Sequence, residues 1–201
     1  MAEVTMEMIK KLREKTAAGF MDCKKALEEA GGDLEKAVDI LRQKGLAVAA
    51  KRAGKATKEG VVAAYIHATK KLGAMVEVNC ETDFVARTEE FQKFAYDLAM
   101  HIAATNPICV AREDMPEEVI NREKEIYIAQ ARESGKPENV IEKIVQGKLE
   151  KFYKESVLLE QPFVKNPDLT IQDLLNELMT KTGERIQIRR FTRYQVGEEE
   201  G

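Results

Sequence analysis

The spacing of apolar residues in positions 1–45 predicts three short helices. Thr5 is a suitable N-cap for the first helix, Gly19 interrupts the pattern, and Asp33 can cap the third helix, which Gly45 is expected to end. In the second and third helices apolar residues recur at i, i+3, i+4 and i+7, which places them on one helical face. These positions are Cys23, Ala26, Leu27, Ala30, then Leu34, Ala37, Val38 and Leu41. The segment therefore predicts a three-helix bundle with a very small core.

Residues 46–60 are rich in alanine, glycine and lysine and contain no aromatic residue. This composition predicts a linker with some helical character, and therefore a domain boundary.

After residue 60 the period of the pattern changes to two. Residues 61–68 are β-branched and aromatic, residues 70–73 form a turn signal, and Ala74 begins an alternation that continues to Cys80. This pattern predicts a β-hairpin, and residues 184–196 predict a long strand that can join it as a third member.

The remaining pattern is helical. Thr88 opens a helix with an apolar stripe, which the pair Asn106–Pro107 closes. Further helices are predicted over 116–134, 137–154 and from Thr170 to Gly183. Residues 61–196 therefore predict an α+β core, a small antiparallel sheet covered by helices, and residues 197–201 an acidic tail.

Composition and charge reduce the number of functional classes that need to be considered. The net charge of −3 comes from 32 basic and 35 acidic residues mixed along the chain, which argues against nucleic acid as a direct partner. No apolar run is long enough to span a bilayer and residues 1–4 do not resemble a secretory signal, so we expect a cytoplasmic protein. Three separated cysteines, two histidines and no phosphate-binding glycine loop give no sign of a disulfide framework, a metal site or a cofactor.

The segment from Asn79 to Arg87 connects the second strand to the next helix, and it allows two interpretations. It could be a simple turn in which Asp83 caps the helix and Phe84 reaches into the core. Alternatively, Phe84 projects outward as an apolar anchor for a partner, and buried aromatic anchors of this kind dominate many interfaces.

Other polar groups also have two interpretations. Glu77, Glu81 and Asp83 share a strand face and could bind a metal, although a solvated face has the same pattern. Cys80 beside His67 or His101 could form a nucleophile and base, although its phase in the strand is that of a buried residue. The basic residues of the linker are expected to be solvated rather than to bind phosphates; they are Lys51, Arg52, Lys55 and Lys58.

Two long motifs carry a resemblance to a known family. Residues 12–33 read LREKTAAGFMDCKKALEEAGGD, and residues 79–86 read NCETDFVA. In this order and at this distance they resemble the two signatures of the elongation factor Ts family. Shorter similarities at 99–104, 134–137, 161–165 and 193–197 extend the resemblance over essentially the whole chain.

The resemblance implies a non-enzymatic nucleotide exchange factor for the GTPase elongation factor Tu. It implies a ubiquitin-associated-like fold for the N-terminal helices. It also implies that Phe84 inserts between helices of the GTPase and disturbs its Mg²⁺ and phosphate site. The residues implied to contact the GTPase are Thr82, Asp83, Phe84, Val85, Phe20, Met21, Lys24 and His101; at Phe20 many family members have methionine.

The length of the chain has a further implication. Longer family members have two related core subdomains and a helical hairpin, whereas only one core unit fits here. Short members pair into homodimers, so the resemblance implies a dimer. Two rival hypotheses are a module that binds ubiquitin-like or peptide ligands through the bundle, and an enzyme that uses Cys80.

Overall fold

The computed structural model describes residues 4–16 and 18–198, and its N-terminal part is a helical bundle. The bundle consists of α1 (Met6–Thr16), α2 (Phe20–Glu29) and α3 (Leu34–Arg52). Thr5 Oγ1 accepts the Met8 N–H at 3.3 Å, and Asp33 accepts the N–H groups of the first turn of α3, so both predicted N-caps are confirmed. Of the predicted apolar positions in the second and third helices, four are buried and the other four are partly buried against them. The buried side chains of the bundle are Ile9, Leu12, Ala18, Cys23, Ala26, Leu27 and Ala37.

The expected end of the third helix at Gly45 is wrong, because α3 continues to Arg52. Gly45 is buried, and a Cβ atom at this position would lie 3.3 Å from Asn176 Cβ. Glycine therefore permits close approach of another helix here rather than ending α3. Val48 and Ala49 in the second half of α3 pack on the main core, so much of the predicted linker is ordered helix.

The central sheet consists of β1 (Glu59–Ile66), β2 (Leu72–Cys80) and β5 (Gln187–Gln195). It is antiparallel, with the strand order β1-β2-β5. A separate two-stranded sheet is formed by β3 (Pro162–Phe163) and β4 (Asn166–Thr170). The predicted hairpin and third strand are confirmed. The pair β3–β4 was not predicted, since strands of two and five residues give almost no periodic signal.

One face of the sheet is covered by some of the helices, and these form the main core with it. Between β2 and β3 lie α4 (Asp83–Ala86), α5 (Glu89–Thr105), α6 (Glu117–Glu133) and α7 (Glu138–Ser156), and α8 (Ile171–Thr182) precedes β5. Phe91 and Ile102 of α5 pack against the inner face of β2, where the alternating residues predicted from the sequence are buried. The α+β class is confirmed.

Helices α6 and α7 form an antiparallel hairpin with a small core of its own. Gly135 adopts φ +68° in the turn between them, and the buried residues are Ala131, Ile141, Val145 and Leu149. None of the helices in the described ranges is both long and apolar enough to cross a membrane.

Candidate functional site

The segment after β2 forms a single helical turn, α4, that exposes an aromatic side chain. Phe84 is 80% exposed, whereas Ala86 is buried and Val85 packs against the main core. The N-cap is Thr82, whose Oγ1 accepts the Val85 N–H at 3.5 Å. The interpretation in which Asp83 caps the helix and Phe84 enters the core is therefore wrong, because a turn of four residues can bury only one side.

Asp83 lies beside Phe84 at the surface and is half-exposed. Its carboxylate forms an ion pair with Arg87 at 2.9 Å, one helical turn further on. Pairs of this exposure contribute little to stability, so Asp83 can exchange this partner for another cation at low cost.

Phe20, Met21 and Lys24 lie on the first turns of α2, next to Gly19, which is the N-cap of that helix. Phe20 and Met21 are exposed large apolar residues, and Lys24 forms a loose ion pair with Glu28 at 3.8 Å. Residues four apart share a helical face, so Phe20 and Lys24 form one continuous surface with Met21 beside it.

His101 is not at the surface. It is completely buried in α5, with Nε2 2.9 Å from Gln161 Oε1 and Nδ1 accepting the Val164 N–H at 3.4 Å. Burial lowers the pKa of His101, against the opposing effect of the bond to Gln161, and so favours the neutral imidazole. Hydrogen bonds hold the ring between α5 and the residues on either side of β3, and a contact of His101 with the GTPase stays a prediction.

The other candidate groups are engaged in structural contacts. Burial raises the pKa of the Cys80 thiol to about 11, and Cys80 Sγ donates to Thr82 O, which makes it a poor nucleophile. Glu77 is paired with Arg190, and Glu81 with Arg52, rather than with a common centre. In the described part of the chain no group of three or more histidine, cysteine, aspartate or glutamate side chains could hold a metal ion.

The fold and the site define an α+β protein that presents an exposed aromatic side chain on a short helical turn, together with a helical bundle. The family model described as "Elongation factor TS" matches residues 2–198. This chain belongs to the elongation factor Ts family.

Curated relatives agree with this assignment over nearly their whole length. Elongation factor Ts of Desulfotalea psychrophila is 67% identical over 194 residues, which cover 96% of this chain and 98% of the relative. The protein of the same name from Carboxydothermus hydrogenoformans is 63% identical, over 97% of this chain and 90% of the relative. That of Thermotoga neapolitana is 60% identical, over 98% and 99% respectively.

Sequence reasoning missed one residue that contacts the exposed turn. Glu184 follows the glycine that ends α8, and its carboxylate accepts a hydrogen bond from the Thr82 hydroxyl. The sequence predicted only that the last strand joins the hairpin. The antiparallel pairing of β5 with β2 places the start of β5 beside the end of β2.

Proposed function

We propose that this protein is a guanine nucleotide exchange factor for the GTPase elongation factor Tu in the elongation cycle of protein synthesis. It binds the GDP-bound GTPase, promotes GDP release and so allows GTP to bind. The exposure of Phe84 supports this proposal most directly, since a large apolar side chain held in water by a short turn gains stability only when a partner covers it. Membership of the elongation factor Ts family supports the choice of partner.

The proposed mechanism is coupled binding. A protein that binds the nucleotide-free GTPase more tightly than the GDP-bound form must weaken GDP binding by the same factor. Phe84 inserts between helices of the GTPase and displaces the segments that hold Mg²⁺ and the phosphates. The mechanism needs no bond chemistry and no cofactor of this chain.

Several side chains supply the remaining contacts in this proposal. Thr82 and Val85 fix the turn, Asp83 offers a carboxylate beside the ring, and α2 provides a second contact surface. This second surface comprises Phe20, Met21 and Lys24. A cytoplasmic location follows from a role in protein synthesis.

The outer face of the sheet supports a homodimer as the working form. In the strand register, Ala64 lies opposite Met75, and Ile66 lies opposite Gly73, which faces Tyr194 on β5. Large apolar side chains on this face are exposed: Val62, Ile66, Met75 and Tyr194. Contiguous apolar patches of this kind mark interaction surfaces, and a two-fold pairing of two such faces covers both at once.

The decisive experiment is stopped-flow release of fluorescent GDP from elongation factor Tu, with the wild type and the Phe84→Ala variant. Complete burial of a phenylalanine side chain is worth about 2 kcal/mol, so removal of this largely exposed ring should slow stimulated release by a factor of about 10 to 30. The free energy of unfolding should be almost unchanged, because the ring contributes little to the core.

Ile108→Ala is the matched control, because Ile108 is also an exposed large apolar residue but lies after α5. Equal release rates for the wild type and Phe84→Ala would leave exchange intact but assign it to other contacts. No acceleration by the wild type would contradict the proposed function and favour a module that binds other ligands through the bundle.

A further inference from the structure

We propose that Glu184 is a positioning residue that holds the Phe84 turn in its binding conformation, and this inference rests on the proposed exchange function. The turn itself is too short to hold its own geometry. It has only four helical residues, and an isolated turn of this length is unstable in water. Contacts from outside the turn must therefore keep Phe84 in place.

The carboxylate of Glu184 provides such contacts to both the backbone and a side chain. Oε2 accepts the N–H groups of Glu81 at 3.2 Å and Thr82 at 3.1 Å, and Oε1 accepts the Thr82 hydroxyl at 2.6 Å. Hydrogen bonds to an ionised acceptor are shorter and stronger than those between neutral groups. One side chain thus satisfies three donors at the point where β2 ends and α4 begins.

The bond to the hydroxyl also sets the direction of the cap. Because the Thr82 hydroxyl donates its hydrogen bond to Glu184, its lone pairs are left to accept the Val85 N–H. The same side chain thereby joins Glu184 to the first turn of α4, where Phe84 is the second residue.

A second carboxylate acts at the same junction between β2 and α4. Glu81 Oε1 accepts the Arg185 N–H at 2.6 Å, and its two oxygens lie 3.4 and 3.2 Å from Arg52 Nη1 at the end of α3. Glu81 is therefore held by the residue that follows Glu184 and by the helix that carries the bundle. Together, Glu81 and Glu184 hold the turn against the end of α3 and against the segment before β5.

A ring that is held in place before binding loses less conformational freedom when the partner covers it. If Glu184 is removed, the turn samples other conformations, and only a fraction of molecules present Phe84 correctly. The proposed contact through α2 does not depend on this turn. We therefore expect the maximal rate of GDP release at saturation to fall, with little change in the concentration that gives half-maximal rate.

The test combines two measurements on Glu184→Ala, Glu184→Gln and Thr82→Val. Amide hydrogen exchange of the free protein should become about tenfold faster at Glu81 and Thr82 in Glu184→Ala, since an ionic hydrogen bond is lost at each. Stimulated GDP release should fall by a similar factor at saturation. Glu184→Gln should lie between the wild type and Glu184→Ala, because its amide oxygen still accepts.

Glu150→Gln is the matched control, because Glu150 also accepts two hydrogen bonds, from Arg112, but lies on α7. It should leave both measurements unchanged. Thr82→Val keeps the side-chain shape and loses only the hydroxyl, so it tests the proposal if Glu184→Ala folds poorly.

Unchanged amide exchange in Glu184→Ala and Thr82→Val would overturn the proposal. Faster amide exchange with a wild-type maximal rate would overturn the functional part, and so would a change confined to the half-maximal concentration. If the wild type does not accelerate GDP release, the proposed exchange function fails, whereas amide exchange still reports whether Glu184 holds the turn.

Discussion

Asp173 links the N-terminal bundle to the core, and its replacement by alanine should lower the free energy of unfolding. Oδ2 accepts the N–H and the hydroxyl of Thr170 at 3.0 and 2.7 Å, which forms the capping box of α8. The same carboxylate receives two hydrogen bonds from Arg42 of α3, at 3.0 and 2.9 Å. One side chain therefore serves a helix cap and a contact between the two parts of the chain.

The helix cap and the ion pair contribute different amounts to the free energy of unfolding. Loss of a capping interaction costs about 1 kcal/mol, and loss of a partly exposed ion pair costs about 0.5 kcal/mol. We expect Asp173→Ala to lower the free energy of unfolding by about 1.5 kcal/mol and Arg42→Ala by about 0.5 kcal/mol. Asp168→Ala, which removes an exposed acid on β4, should have almost no effect.

Urea denaturation followed by circular dichroism measures these differences, and its pH dependence adds a second test. Burial would raise the pKa of Asp173, but the hydrogen bonds from Arg42 and Thr170 together lower it. A lowered pKa in the folded state means that the carboxylate stabilises the fold above the ordinary aspartate pKa of about 4 and stops doing so as pH falls. The reasoning is refuted if the effect of Asp173→Ala is as large at pH 3 as at pH 7, or if Arg42→Ala costs as much.

Burial raises the pKa of Glu177 to about 7, and Lys181 opposes this shift only in part. The negative charge of Glu177 therefore destabilises the folded state as the pH rises above about 4.5. Glu177→Gln should therefore stabilise the protein by about 2 to 3 kcal/mol at pH 8 and by much less at pH 5, and an equal gain at both pH values in urea denaturation would contradict this. If the proposed dimer forms through the outer face of the sheet, Met75→Glu on that face should yield a monomer in analytical ultracentrifugation, whereas Ile126→Glu on α6 should not. A monomeric wild type at tens of micromolar, or an unaffected Met75→Glu dimer, would disprove the proposed pairing.

The sequence predicted those parts of the fold that local patterns encode. The alternation from Ala74 to Cys80 is confirmed because a strand buried on one face has a strict period of two. Thr88 is confirmed as the N-cap of α5, since its hydroxyl accepts the Phe91 N–H at 3.3 Å. Such signals lie within a few residues of the structure they specify.

Features that depend on distant residues could not be predicted. Gly45 has the local properties of a helix end, but the nearby Asn176 of α8 explains its presence within a continuous helix. His101 lies on the flank of an apolar stripe, and only its contact with Gln161, sixty positions later, shows that it is buried. The orientation of Phe84 likewise depends on which side of α4 faces the core.

The continuity of α3 determines how the two proposed contact surfaces combine in binding. A flexible linker of 15 residues would have a root-mean-square end-to-end distance of about 20 Å, so the position of the bundle relative to the core would vary over that range. The ordered helix instead spans about 28 Å as a rod, held near its middle by Arg42 and at its C-terminal end by Arg52. In the proposed complex, docking of α2 therefore sets the effective concentration of Phe84 at its own site through a rigid geometry, and the two proposed contacts would act as one bivalent ligand.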